Sequence, residues 1–114
     1  MATSNDLEAA VTSVVGQGKM AQPYFGPNED VSPPYVHLMP DTASRVSASD
    51  RTWIWLVPYD VILCTAQRDR ALERSMAAAL DAAHIGFTLS FSYDVDERLF
   101  MAIFSTDEVE ESEE

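Results

Sequence analysis

Apolar residues near the start of the chain fall at Leu7, Ala10, Val11, Val14 and Val15, the i, i+3, i+4, i+7, i+8 spacing that gathers side chains onto one face of a helix. The spacing predicts a helix from about residue 6 to 16, with Asn5 and Glu8 in capping-box positions and Gly16 and Gly18 as stops. The period then disappears. Residues 17–34 carry Pro23, Gly26, Pro27, Pro33 and Pro34, and read as an irregular connection in which Tyr24 and Phe25 are anchors. A connection of that length in a small chain points to partner contact or to a packed surface loop.

Tyr35-Val36-His37-Leu38-Met39 is a short β-rich run between a proline pair and Pro40, which suits a strand. Asp41 to Arg51 is small and polar and reads as a mobile connection. Thr52 to Thr65 is dense in β-branched and aromatic residues and is the longest strand candidate. Pro58 lies inside it and lacks an N–H, so it must sit at an edge, at a bulge, or at a break into two pieces. From Asp69 to Ala83 the helical period returns, with Leu72, Met76, Ala79, Leu80 and Ala83 on one face, Asp69 as cap and Gly86 as stop. The alanines of this helix favour close packing on a sheet.

Phe87, Leu89, Phe91 and Tyr93 alternate with Thr88, Ser90 and Ser92, the pattern of a strand with one buried and one wet face. Asp94 to Glu97 makes a turn, and Leu99 to Phe104 returns as the second strand of a hairpin. The order is α-β-β-α-β-β. It predicts an α+β fold in which a mainly antiparallel four-stranded sheet carries both helices on one face.

The 114 residues, 46% hydrophobic and 23% charged, have the composition of one ordinary globular domain. Charge changes the picture more. Nineteen acidic residues oppose seven basic ones, for a net −12, and six of the acids fall in the last eight positions. We therefore expect a domain over residues 1–106 and an acidic, disordered tail over 107–114. An acidic domain is repelled by phosphate backbones, which argues against conventional nucleic-acid binding and leaves open a non-stick wall beside DNA, or a DNA mimic. The single Cys64 permits no internal disulfide, and no Cys/His couplets have zinc spacing. Met1 to Asp6 lacks the pattern of a signal peptide, and the run from Trp53 to Cys64 falls short of the roughly 20 residues of a membrane helix. These features lead us to expect a soluble protein made in a reducing cytosol, with no membrane partner.

Reactive chemistry is sparse. His37 lies in a strand and His84 at a helix end, where a structural reason suffices for each. Cys64 reads as a small buried apolar residue. Asp94, Asp96 and Glu97 have oxygens suited to a hard cation, yet a solvated hairpin turn accounts for them equally. Gly16-Gln17-Gly18-Lys19 lacks the remaining positions of a nucleotide loop. We expect no catalytic, cofactor-binding or metal-binding residue, and no enzymatic activity. Trp53 and Trp55 share one side of their strand while Ile54 and Leu56 occupy the other. A stretch apolar on both sides, beside helices that cover only one, implies an intermolecular cover.

Pro34-Tyr35-Val36-His37-Leu38, the loop ending Ala48-Ser49-Asp50, Tyr59-Asp60-Val61-Ile62-Leu63-Cys64-Thr65, Arg68-Asp69, Leu72-Glu73 and Ala79 to Phe87 together form a serial pattern over residues 33–105. That pattern resembles the tail-terminator, or tail-completion, proteins of long-tailed bacteriophages; Pro58, the tryptophan pair and Ser49 depart from it. The resemblance implies a non-enzymatic α/β protein of the virion, assembled in the bacterial host cytoplasm. It implies a homo-oligomer, a hexameric ring on the last tier of the tail tube, which stops tube growth and docks to the connector or stopper protein on the head side. Genome DNA would pass through an acidic lumen without specific binding. On this reading Trp53 and Trp55, with Arg45, Asp50 and Arg51 of the adjoining loop, are candidates for ring assembly, and Tyr24 and Phe25 for contacts with neighbouring rings. Other head-tail neck proteins, an acidic DNA-mimic inhibitor and a small enzyme are the alternatives.

Overall fold

The computed structural model describes residues 2–16, 20–21, 33–47 and 53–112. Helix α1 spans Ser4–Val15. Its cap is Thr3, not the expected Asn5: Thr3 is extended, its hydroxyl accepts from the Asp6 N–H at 3.2 Å, and the Asp6 carboxylate accepts from the Thr3 N–H at 2.9 Å. The reciprocal pair satisfies donors that the first turn leaves unpaired. Gly16 ends the helix at φ 84°, a backbone conformation that costs glycine little.

The strands are β1 (Met20–Ala21), β2 (Tyr35–Pro40), β3 (Ser44–Ser47), β4 (Trp53–Val57), β5 (Tyr59–Thr65), β6 (Phe87–Asp94), β7 (Leu99–Thr106) and β8 (Val109–Ser112), with helix α2 (Arg70–Ala82) between β5 and β6. The main sheet has the order β1-β2-β5-β7-β6, and its four long strands are antiparallel throughout. Val36, Leu38, Val61, Leu63, Ala102 and Phe104 form its inner face and bury against Leu7 and Val11 of α1 and Met76 and Leu80 of α2. The α+β class, the antiparallel sheet and the placement of both helices on one face agree with the periodicity.

Pro58 breaks the long strand, one of the three options its missing N–H left open: β4 ends at Val57, β5 begins at Tyr59, and the two belong to different sheets. Three segments, β1, β3 and β8, differ from the expectation. Strand β1 lies in the stretch read as irregular and pairs parallel with β2 as the fifth strand of a sheet expected to have four. The polar stretch after Asp41, expected to be a mobile connection, contains β3, which pairs with β4 from Ser44↔Leu56 to Ser47↔Trp53. The tail from Asp107, expected to be disordered, contains β8, which pairs with β4 from Val57↔Val109 to Ile54↔Ser112. Val109 is 1% exposed and belongs to the core, so one valine between carboxylates supplies the apolar burial that the charge pattern concealed. The result is a second sheet, β3-β4-β8. It stands at the end of the main sheet where β2 passes into β3, β4 into β5, and β7 into β8.

Helix α2 has its expected cap, with the Leu72 N–H donating to Asp69 Oδ1 at 3.0 Å. Its stop is not Gly86. His84 takes the left-handed conformation at φ 60°, its N–H donates to the Asp81 carbonyl at 3.0 Å, and the Ile85 N–H donates to the Leu80 carbonyl at 2.9 Å. This is a Schellman closure, with Ile85 packed in the core beside Leu80. Gly86 lies instead against Asp107, whose N–H donates to the Gly86 carbonyl at 2.8 Å and whose carboxylate rests over the Gly86 Cα.

Candidate assembly surface

The second sheet presents the tryptophan pair. Arg45 lies opposite Trp55 across the β3–β4 ladder, and its guanidinium sits 4.1 Å from the Trp53 ring centre and 5.9 Å from that of Trp55. A guanidinium over an indole face is attracted by the ring quadrupole, so the arginine holds the tryptophans side by side. On the other flank Trp55 lies opposite Glu111 of β8, whose carboxylate accepts a hydrogen bond from the Tyr59 hydroxyl. Along this side burial rises toward the main sheet: Trp53 is 42% exposed, Trp55 half-buried and Val57 3% exposed. Ile54 and Leu56, on the opposite side, are half-buried. The structure thus brings together Arg45, Trp53 and Trp55 of the expected assembly residues. Asp50, Arg51, Tyr24 and Phe25 lie outside the described residues.

A second apolar surface appears where a buried one was expected. Leu89, Phe91 and Tyr93 of β6 pair with Phe104, Ala102 and Phe100 of β7 and share their face, yet they are 39%, 47% and 53% exposed. Two helices about 10 Å apart roof roughly four strands at about 4.8 Å spacing, and β1, β2, β5 and β7 use that width. Strand β6 is the fifth: Phe87 at its start still packs on the core beside Phe104, while Leu89, Phe91 and Tyr93 are left exposed at the sheet edge. Alternation along the sequence identifies its apolar face correctly but carries no information on how far the roof reaches.

Between α2 and β6 runs a groove of about 330 Å³ lined by Arg68, Arg70, Glu73, Arg74, Ala77 and Leu89. Glu73 is buried in the first turn of α2, and Arg68 pairs with it at 3.3 Å. The same guanidinium lies 4.7 Å from the Phe91 ring centre and 6.0 Å from that of Phe100. Arg68 therefore bridges the last covered strand, the uncovered one and the helix.

The residues weighed for chemistry are occupied structurally. Cys64 is buried, and that burial pushes its thiol up to about 11 despite a hydrogen bond with Tyr35, so it holds its proton at neutral pH. Burial likewise raises the Tyr35 hydroxyl, to about 12. Burial lowers the His37 imidazole from its usual value and favours the neutral ring. Asp94 Oδ1 accepts from the Asp96 and Glu97 N–H groups at 3.0 and 3.2 Å, which makes that carboxylate the lock of the β6–β7 turn. Among the described residues no cluster of three His, Cys, Asp or Glu is arranged to hold a metal.

No family model and no curated protein matches the chain. Among solved structures it is similar to a chain of the virion of a native gene transfer agent particle, at 16% identity and a TM-score of 0.48, with 96% of this chain and 92% of that chain covered. A likeness of that size carries no inference about function, which rests here on the surfaces described above.

Proposed function

We propose that this chain is a structural protein of a phage-type particle, a tail terminator that forms a ring at the end of the tail tube, halts tube growth and joins the tail to the head-side connector. In this role it carries no catalytic chemistry. One observation carries the reading: the molecule has two separate uncovered aromatic surfaces, the Trp53/Trp55 sheet and the β6 edge. A closed ring of identical subunits needs two different patches on each copy, one for each neighbour, whereas a monomeric regulator or enzyme needs neither. The serial resemblance over residues 33–105 and the net charge of −12 support the same reading, because an acidic channel wall repels passing DNA phosphates.

The test is to image the purified chain by negative stain and to add it to polymerising tail tubes. Six-fold rings with a central hole, and tubes whose elongation stops on addition, are the expected results. A chain that leaves elongation untouched and forms no ring at any concentration would defeat the proposal. Rings that bind only the isolated connector would reassign the chain to the neighbouring joining position.

A further inference from the structure

Three of the chain's seven basic residues, Arg68, Arg70 and Arg74, line the groove between α2 and β6, on a molecule with nineteen acids. Arg68 is paired with Glu73. Arg70 and Arg74, four residues apart and so on one side of the helix, have no ion-pair partner among the described residues. Alongside runs β6, eight residues long, with the backbone of one side unpaired by any described strand. It contains no proline and no lysine, and its one charge is the terminal Asp94, so the devices that usually blunt a sheet edge are missing. An edge and two guanidiniums that no described residue pairs thus lie beside three exposed apolar side chains.

We propose that this strip is a docking edge for a second copy of the chain, engaged head to tail. The occupant follows from charge. On a molecule of net −12 a cationic strip complements most of the remaining surface of an identical neighbour, but not its own counterpart. Two copies meeting strip to strip would set the Arg70 and Arg74 pairs against each other, which costs free energy. The contact is therefore heterologous: β6 and the two arginines of one copy receive a different, carboxylate-bearing surface of the next. The inference rests on the proposed function only for the requirement that such contacts close into a ring.

The full chain is compared with the double variant Arg70→Glu/Arg74→Glu by sedimentation velocity across concentration and salt, with circular dichroism as the check on folding. We expect wild-type association to weaken with added salt, and the double variant to associate at least about tenfold more weakly while keeping its fold. The charge-preserving Arg70→Lys/Arg74→Lys variant retains most of the association. Association of the Glu variant equal to wild type overturns the proposal. So does a wild-type chain that stays monomeric, or efficient self-crosslinking of a Ser90→Cys variant, which would report β6 meeting β6. If wild-type and Glu variants form the same rings and stop tube growth equally, the docking edge is wrong and the ring reading survives. If neither forms rings nor stops growth, the ring reading fails with it.

Discussion

Position 84 shows how closely a helix end is specified. Two residues compete to stop α2, and glycine at 86 is the better candidate by conformational freedom alone. Histidine takes the left-handed position because Ile85 must follow it into the core against Leu80, and this fixes the register of the closure. A non-glycine residue at φ 60° carries a steric cost that glycine avoids. His84→Gly should therefore raise stability by about 0.5–1 kcal/mol, offset in part by the greater freedom of glycine when unfolded, as a shift in urea midpoint with unchanged slope. An unchanged or lowered midpoint would mean that the exposed imidazole does more than occupy the cap. The Thr3 cap shows the same limit on reading. Both Thr3-to-Asp6 and Asn5-to-Glu8 have capping spacing, and the choice between them depends on the bridge that ties Thr3 to Glu110, far along the chain.

At the scale of elements, periodicity located both helices and the four strands of the antiparallel sheet, and it failed where a segment's fate depends on its neighbours. Strand β8 consists of Val109 and three polar residues, and no local pattern marks it. It forms because β4 offers an edge and the core offers a site for Val109 opposite Val57. The Glu110 N–H also donates to the Ala2 carbonyl at 2.9 Å, which ties this strand to the start of α1. Val109→Ala should cost about 1–3 kcal/mol in chemical unfolding, the scale of a truncated core side chain. A solvated tail would register no change, so this substitution separates a structural strand from a loose acidic end. Its sequence appearance was misleading for a physical reason: exposed glutamates dominate composition while a single buried valine decides the free energy.

For the whole molecule, the two aromatic surfaces differ in how they can be tested. Trp53 is largely exposed and Trp55 half-buried beneath the same guanidinium, so their removal should have separable effects. Trp53→Ala should lower stability by less than about 1 kcal/mol yet weaken ring assembly, measured by light scattering against the unfolding midpoint. Trp55→Ala should impair assembly as well, with a larger loss of stability because its ring packs against Arg45 and beside Glu111. A large loss of stability with Trp53→Ala and normal assembly would assign that tryptophan to folding.

By itself the sequence determined the α+β class, the antiparallel sheet, the helix faces, the break at Pro58 as one of three options, and the pairing of Trp53 with Trp55 on one side. Each of these depends on residues close together along the chain, where spacing translates directly into geometry. Only the tertiary structure decided that β6 beyond Phe87 lies outside the reach of the helices, that an acidic stretch closes a second sheet, that Arg45 stacks on the tryptophans, and that Arg70 and Arg74 flank an edge that no described strand pairs. Those features depend on how many strands two helices can cover and on which distant segment finds a free edge, and neither quantity is carried by local periodicity.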